Sequence, residues 1–366
     1  MNKYFILLIL IIQLSTHLCG QQEPLKLGIA GLTHTHVHWI LGRKDRGDIK
    51  IVGIAEPDRI LAKKYADQYG FSMDIVFNTL EELIEKTRPT AITAFGSIYD
   101  HLNVVEICAP KGIHVMVEKP LAVSMEHAKK MKSLADKHQI HLLTNYETTW
   151  YPTTHKANEI LSSGAIGQIR KFVVHDGHKG PKEIGVNREF LEWLTDPVKN
   201  GGGAITDFGC YGANMVTWMM EGKKPISVTS VTQQLQKENN PKVDDDATII
   251  LTYENANAVI QPSWDWPIGR KDMEIYGKKG VIYADNRHDL RIRMSEGYDG
   301  FKEEKLKLDE LNAPDDDPFA MFAAVINGTL KLKPYDLSSL ENNMIVVEIL
   351  DAAIKSAKTH KTVFLK

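Results

Sequence analysis

Cysteine is scarce in this chain. There are three in 366 residues, and the first, Cys19, lies in the apolar N-terminal segment. Cys108 and Cys210 alone do not make a disulfide framework, so the fold must be held by burial. An excess of either charge is also missing: 44 Lys plus Arg stand against 47 Asp plus Glu, a formal net charge of −3. That balance excludes the basic footprint of a nucleic-acid binder. No low-complexity tract, long charge block or internal repeat is visible, which excludes a solenoid or a disordered tail. Glycine is missing where a dinucleotide-binding turn would want it. In "GIAGLTHTHVHWI", residues 28–40, the second and third glycine positions hold Thr33 and His36.

What is present begins with a leader. "MNKYFILLILIIQLSTHLCGQQ" has one lysine, an apolar run from Tyr4 to Ile12, then small and polar residues. This is the layout of a secretory signal peptide, residues 1–20, with cleavage before Gln21. The run is too short to be a comfortable membrane span, so none is expected after cleavage. Anchoring through Cys19 as a lipoprotein is the alternative, but Thr16-His17-Leu18 is a poor approach to such a cysteine. The reading is an exported, periplasmic protein. The leader lacks twin arginines, so export of a folded, cofactor-loaded chain is not indicated.

The rest divides in two. From Leu25 to Tyr146 short apolar strands alternate with amphipathic helices: "LKLGIAGL", "DIKIVGIAEPD", "MDIVFN", "TAITAFG", "HVMVEKP" and "HLLTNY" are the strands. This predicts a doubly wound parallel sheet, a Rossmann domain over 21–143. Thr79 and Glu82 have capping-box spacing, and Gly70 suits a left-handed helix end. After residue 144 strands dominate, separated by tight turns such as "YENAN" and "YGKKG", and two helices close the chain. A second, α+β domain over 144–366 is predicted, with a large, open, mainly antiparallel sheet. Its uncovered face favours a homodimer or homotetramer.

The opening stretch admits three readings. As a metal site it would use His34, His36 and His38, but residues two apart on a helix diverge, so no metal is expected. As a cofactor cradle it keeps Gly31 for the tight turn, with Thr33, His34 and Thr35 beside the free N–H groups of a helix start. It is otherwise only the first turn of a structural helix. Glu56, at the end of the second strand, can accept both ribose hydroxyls of an adenosine and repels a ribose phosphate. That favours NAD over NADP; the plain alternative is an acid capping the next helix.

"VEKPLA" follows the fifth strand at the edge where such sheets bind ligands. Here the chain resembles the Gfo/Idh/MocA family. In that family the lysine of an E-K-P triplet lies beside the reacting hydroxyl, so the resemblance assigns Glu118 and Lys119 to the nicotinamide end. It implies a cis Lys119–Pro120 bond. "GSIYDH" sits at the family's T-P-N-x-x-H, keeping only His101. "SSGAIGQIRKF", "MEIYGKKGVIY" and "AAIKSAKTHKTVFL" resemble later family segments. "GGGAITDFGCYGAN" places Asp207, Tyr211 and Asn214 at i, i+4 and i+7, one helical stripe. The family's usual stripe is D-x-G-x-H-x-x-D; tyrosine replaces its histidine in the glucose–fructose oxidoreductase and dihydrodiol dehydrogenase branches.

The implied chemistry is hydride transfer from a sugar or glycoside hydroxyl to tightly bound NAD. Tyr211 accepts the hydroxyl proton, Lys119 holds the oxygen and Asp207 binds substrate hydroxyls. A free phenol ionises near pH ~10, and its anion needs roughly 4 kcal/mol of stabilisation to act near neutrality, which Lys119 is expected to supply. Asn145, Asn214, Trp264 and Trp266 are the expected substrate contacts, the indoles offering flat faces to a sugar ring. The loop 176–203 is expected to cover the site. Two alternatives use the same parts: an NAD-dependent glycoside hydrolase acting by transient oxidation and elimination, or a non-catalytic sugar-binding relative.

Overall fold

The computed structural model describes residues 23–365. The leader, its cleavage point and Cys19 lie outside them. In the first part β1 (Leu25–Ala30), β2 (Ile49–Ala55), β3 (Val76–Phe77), β4 (Ala91–Ala94), β5 (His114–Glu118) and β6 (Leu142–Asn145) alternate with helices. These are α1 (Val37–Leu41), α2 (Arg59–Tyr69), α3 (Leu80–Thr87), α4 (His101–Cys108) and α5 (Met125–His138). The six strands pair in parallel in the order β3-β2-β1-β4-β5-β6. The order reverses between β1 and β4, so a crevice opens beyond their C-terminal ends, where doubly wound sheets bind ligands.

Local chemistry sets these boundaries. Asp58 caps α2 by accepting from the Ile60 and Leu61 amides, and Gly70 ends it in the left-handed region, φ +77°. Thr79 caps α3 on the Glu82 amide. Helix α1 is the departure from expectation. It begins only at Val37, because the His36 amide donates to His34 Nδ1 (3.1 Å) and closes a separate turn.

The second part holds α6 (Pro152–Ser162), β7 (Ile169–Gly177), α7 (Arg188–Leu194), α8 (Ala204–Asp207), α9 (Gly209–Met219), β8 (Ser227–Gln233), β9 (Asp246–Thr252) and β10 (Asn257–Ser263). Then come β11 (Arg270–Gly277), β12 (Gly280–Ala284), β13 (Asp289–Glu296), β14 (Gly300–Lys307), α10 (Pro318–Ile326), α11 (Leu340–Thr359) and β15 (Val363–Phe364). Their sheet runs β14-β13-β12-β11-β7-β10-β9-β8-β15. It is antiparallel except at its centre, where β7 lies parallel to β10. Helices α7 to α9 separate β7 from β8, and that long connection lets β7 sit between strands that follow it by eighty residues or more.

Three rows on the inner face of this sheet lead to the site. Phe172 and Val174 precede Asp176 on β7; Ile275 and Met273 face them on β11 and lead to Lys271; Ile260 and Pro262 on β10 lead to Trp264. Side chains alternate along a strand, so each row is apolar under α9 and turns polar at the end nearest the parallel sheet. The two parts share cores as well. Phe319 and Phe322 of α10 pack with Leu27 and Ile29 of β1, and Val347 of α11 packs with Val115 and Leu142.

The stripe expected on one helix is split. Asp207 ends α8 and Tyr211 begins α9, with Phe208 at φ −106° between them. The Asp207 carbonyl leaves the helical ladder and accepts from Lys119 Nζ (3.0 Å) and Cys210 Sγ (3.2 Å).

Candidate active site

The crevice starts at Gly31. Its φ is +81°, and a Cβ there would meet the Gly96 backbone nitrogen at 3.0 Å. Only glycine suits both conditions. Just beyond, the Leu32 amide donates to Glu56 Oε2 (2.9 Å) and the Asp58 amide to Glu56 Oε1 (2.9 Å). Glu56 is 4% exposed, and burial raises its pKa despite these bonds. Its oxygens keep lone pairs toward the turn, where a ribose diol would lie.

Thr33 Oγ1 donates, at 3.4 Å, to the Phe95 carbonyl, while Thr35 stays half-buried. His34 and His36 lie in the turn rather than on the helix, and their rings meet at 4.6 Å between centroids. The divergence expected of helical neighbours therefore does not hold for this pair. His34, His36 and Glu118 have donor atoms all within 4.8 Å of one another, which removes the geometric ground for expecting no metal here. The group is closed by a hydrogen bond, His36 Nδ1 to Glu118 Oε2 at 2.7 Å. His38 is elsewhere, 2.6 Å from the Tyr69 hydroxyl.

At the end of β5 a polar relay fixes Glu118. Trp150 Nε1 donates to Asn145 Oδ1 (2.9 Å), and Asn145 Nδ2 donates to Glu118 Oε1 (2.8 Å). Asn145 is therefore a positioning residue in this arrangement. The Lys119–Pro120 peptide is cis. Lys119, 5% exposed, pairs with Asp207 Oδ1, and Trp264 Nε1 donates to Asp207 Oδ2 at 2.9 Å. Burial alone would raise the Asp207 pKa, but Lys119 and Trp264 hold it below the usual carboxylate range. Burial alone would lower the Lys119 pKa, and Asp207 raises it instead.

Tyr211 lies against this pair. The Lys119 ammonium is 5.1 Å from its ring centroid, and Lys271 Nζ is 5.4 Å from it. Lys271 is paired with Glu147. The Tyr211 hydroxyl has no hydrogen-bond partner among the described residues. Burial, then Glu147, Cys210, Asp207 and Glu118, push its pKa well above 10. The expectation that Lys119 lowers it is not met here, because the Lys119 charge is already neutralised by Asp207.

Two expected substrate contacts are elsewhere. Asn214 is fully buried, donates to the Leu337 carbonyl (2.8 Å) and receives Asn342 Nδ2 on its own carbonyl. It ties α9 to α11. Trp264 is 0% exposed and reaches the site only through Asp207. Trp266 is half-buried, with the Arg270 guanidinium 5.0 Å from its ring. Glu147, Lys271 and Asp176, to which the sequence reading gave no role, neighbour the Lys119–Tyr211 site, as does His178 of the loop expected to cover it, whose pKa burial lowers to about 4. Asp176 was detectable, since it is an acid at the inward parity of an alternating strand.

Within the loop 176–203, α7 packs over the first turn. Phe190 and Trp193 of α7 pack on His34 at 5.0 and 5.6 Å. Glu189 meets Lys64 Nζ (3.1 Å), and Asn187 Nδ2 donates to the Tyr65 hydroxyl (2.9 Å). Beneath them His34 Nε2 and His101 Nε2 are buried without partners among the described residues. Both rings are held neutral by burial, His101 at about 4. Gly31, Glu56 and these two unpartnered nitrogens fit a dinucleotide running from Glu56 toward Lys119.

Residues 25–146 match the family model for an oxidoreductase family with an NAD-binding Rossmann fold, and residues 154–283 match the GFO/IDH/MocA C-terminal domain. A trans-1,2-dihydrobenzene-1,2-diol dehydrogenase of Xenopus tropicalis is 27% identical over 239 residues, 64% of this chain and 67% of that protein. The Homo sapiens enzyme of the same name is 24% identical over 224 residues, 61% and 62% of the two chains. Among solved structures, an inositol dehydrogenase homologue complexed with NAD+ from Azotobacter vinelandii has a TM-score of 0.78 at 16% identity, covering 94% of this chain and 98% of that one. An aldose-aldose oxidoreductase from Caulobacter crescentus complexed with glycerol has a TM-score of 0.73 at 18% identity, covering 93% and 100%. At such identities the structural likeness establishes the fold.

Proposed function

The chain belongs to the GFO/IDH/MocA family of NAD-binding oxidoreductases, and from that premise we propose that it transfers hydride between a sugar or glycoside hydroxyl and tightly held NAD. One observation carries this reading: Lys119 and Tyr211 come from different parts of the chain and meet in one buried site, 5.1 Å from ammonium to ring centroid. When bound, the nicotinamide supplies the hydride acceptor. Lys119 holds the substrate oxygen, and Tyr211, whose hydroxyl is free, exchanges a proton with it. With both lysines paired to carboxylates the phenol is neutral, so the resting site is set to donate a proton to a carbonyl. The oxidative direction requires a carboxylate to draw away from its lysine as substrate enters.

Retention of the cofactor is supported by α7, whose Phe190 and Trp193 close over the first turn. The same cover favours a second reading, glycoside cleavage by transient oxidation, elimination and water addition, in which NAD is regenerated in place. The leader supports export to the periplasm. On the outer face of the nine-stranded sheet, Val231 is 59% and Ile250 40% exposed. That apolar exposure supports a homodimer or larger homo-oligomer.

The test is to denature purified protein and identify any released dinucleotide by absorbance and mass, then to assay sugars with and without added NAD. NADH formation supports net oxidation. Aglycone release from an aryl glycoside without added NAD supports the second reading. Neither activity, with no NAD bound or taken up, sinks both.

A further inference from the structure

The inner-face rows of the large sheet end in Trp264, Asp176 and Lys271. Trp264 holds Asp207, and Lys271 pairs with Glu147. Asp176 is different. It is 0% exposed, and neither carboxyl oxygen has a hydrogen-bond partner among the described residues. Lys271 stands directly opposite it across β7 and β11, yet its ammonium is turned to Glu147. Buried side-chain oxygens in folded proteins are rarely left unpaired, and those that are call for a missing partner.

The surroundings say where that partner comes from. The charged groups near Asp176 include Lys271, Asp272, Glu147 and Lys119, with Arg270 also within its reach. Asp272 is on the outer face, bound by His175 and Arg270. Lys119 and Lys271 lie 5.1 and 5.4 Å from the centre of the Tyr211 ring, and Glu147 is paired with Lys271. Asp176 is therefore buried beside the charged groups around Tyr211, where the proposed function puts the reacting sugar.

On the reading that this site acts on a sugar hydroxyl, we propose that Asp176 binds a second hydroxyl of the substrate ring, and that the pocket is built for neutral sugars rather than uronates or sugar phosphates. Both ammonium groups that reach Tyr211 already face carboxylates, Lys119 to Asp207 and Lys271 to Glu147. Among the described residues an added anion meets no free cation there, and it lies beside a third carboxyl group. A neutral hydroxyl satisfies Asp176 in either protonation state, because a carboxylic acid both donates and accepts while a carboxylate accepts. Burial, above all other influences, pushes the Asp176 pKa well above its ordinary value, so the pocket wall is held neutral.

The test uses NAD-loaded wild-type protein and Asp176→Leu, which keeps the bulk but can neither donate nor accept. The probes are methyl glucoside, methyl galactoside and xylose as neutral sugars, glucuronate and glucose 6-phosphate as anions, and glucosamine as a cation. NADH formation is followed, together with the infrared carboxyl band assigned to Asp176 by its loss in the variant. The expected result is turnover of at least one neutral sugar, a shift of the band when it binds, and a KM raised roughly tenfold or more in Asp176→Leu with NAD affinity unchanged. Preferred turnover of an anionic sugar or of glucosamine overturns the proposal. So does a neutral sugar that turns over without moving the band or with an unchanged KM in the variant; the oxidoreductase reading then stands alone. If Asp176→Leu does not fold, site-specific isotope labelling of the wild-type Asp176 carboxyl assigns the band and gives the same decision. Silence of every sugar in both readouts removes the sugar reading and this proposal together.

Discussion

The ammonium of Lys119 is 3.0 Å from the backbone oxygen of Asp207 and also pairs with its carboxylate, while the centre of the Tyr211 ring is 5.1 Å away. The lysine therefore neutralises an acid instead of activating the phenol. Lys119→Met should abolish turnover and cost about 3–5 kcal/mol of stability, because it strands a buried carboxylate. The double variant Lys119→Met/Asp207→Asn should recover much of that stability but no activity. Denaturant unfolding beside a turnover assay separates the two effects.

Tyr211→Phe removes a hydroxyl that bonds nothing among the described residues. Turnover should fall about 10²–10⁴-fold, while unfolding free energy changes by less than about 1 kcal/mol. The wild-type phenol has a raised pKa, so its base form grows only as the solution becomes alkaline. Oxidation at low substrate should accelerate from pH 7 upward, and reduction should not. An oxidation rate that is flat from pH 7 to 10 would contradict the role given to this tyrosine.

Glu147 provides an acid-stability signature. Burial alone would raise its pKa, but Lys271 and the Tyr151 hydroxyl together outweigh burial and bring it from 4.5 to about 2. A depressed carboxyl stabilises the fold above its unfolded pKa, and the contribution disappears as pH falls through the folded value. Between pH 4.5 and 2 the wild type should therefore lose up to about 3 kcal/mol from this group. Glu147→Gln should be less stable at neutral pH and show a shallower decline across that window, as read from urea unfolding at each pH.

Gly31 and Gly70 make a matched pair. Both have positive φ, +81° and +77°, but a methyl group at 31 meets Gly96 while one at 70 meets nothing within 4 Å. Gly70→Ala should cost about 1 kcal/mol for the backbone alone. Gly31→Ala should cost more, about 1–3 kcal/mol, and should also weaken NAD binding. Melting with and without NAD distinguishes them.

Trp193→Ala opens the aromatic cover over His34. Release of bound NAD, followed by gel filtration over time, should become faster without loss of the initial turnover rate. Equal release rates would show that α7 does not retain the cofactor.

The alternation of strand and helix was legible up to Tyr146, since a parallel sheet buried on both faces needs continuous apolar strands between amphipathic helices. Lys119 was legible at a strand end and Asp207 and Tyr211 as a polar stripe read on one helix, and the resemblance assigned them to one site. The position of β7 was not legible. Strand pairing is set by contacts between segments far apart in sequence, and an alternating strand carries no label for its neighbour. Nor was the turn at His34, where a side-chain hydrogen bond from the His36 amide delays the helix by a residue or two.

By itself the chain determined its elements, its family and the kinds of group available for chemistry, because periodicity, capping and motif spacing are local properties. Tertiary structure alone decided which charges neutralise which. Lys119 to Asp207, Lys271 to Glu147 and the unpaired Asp176 follow from how a sheet, two short helices and a strand end meet in space. In a buried site a shift of an ångström or two changes which partner an ion chooses, and no spacing along the sequence encodes that choice.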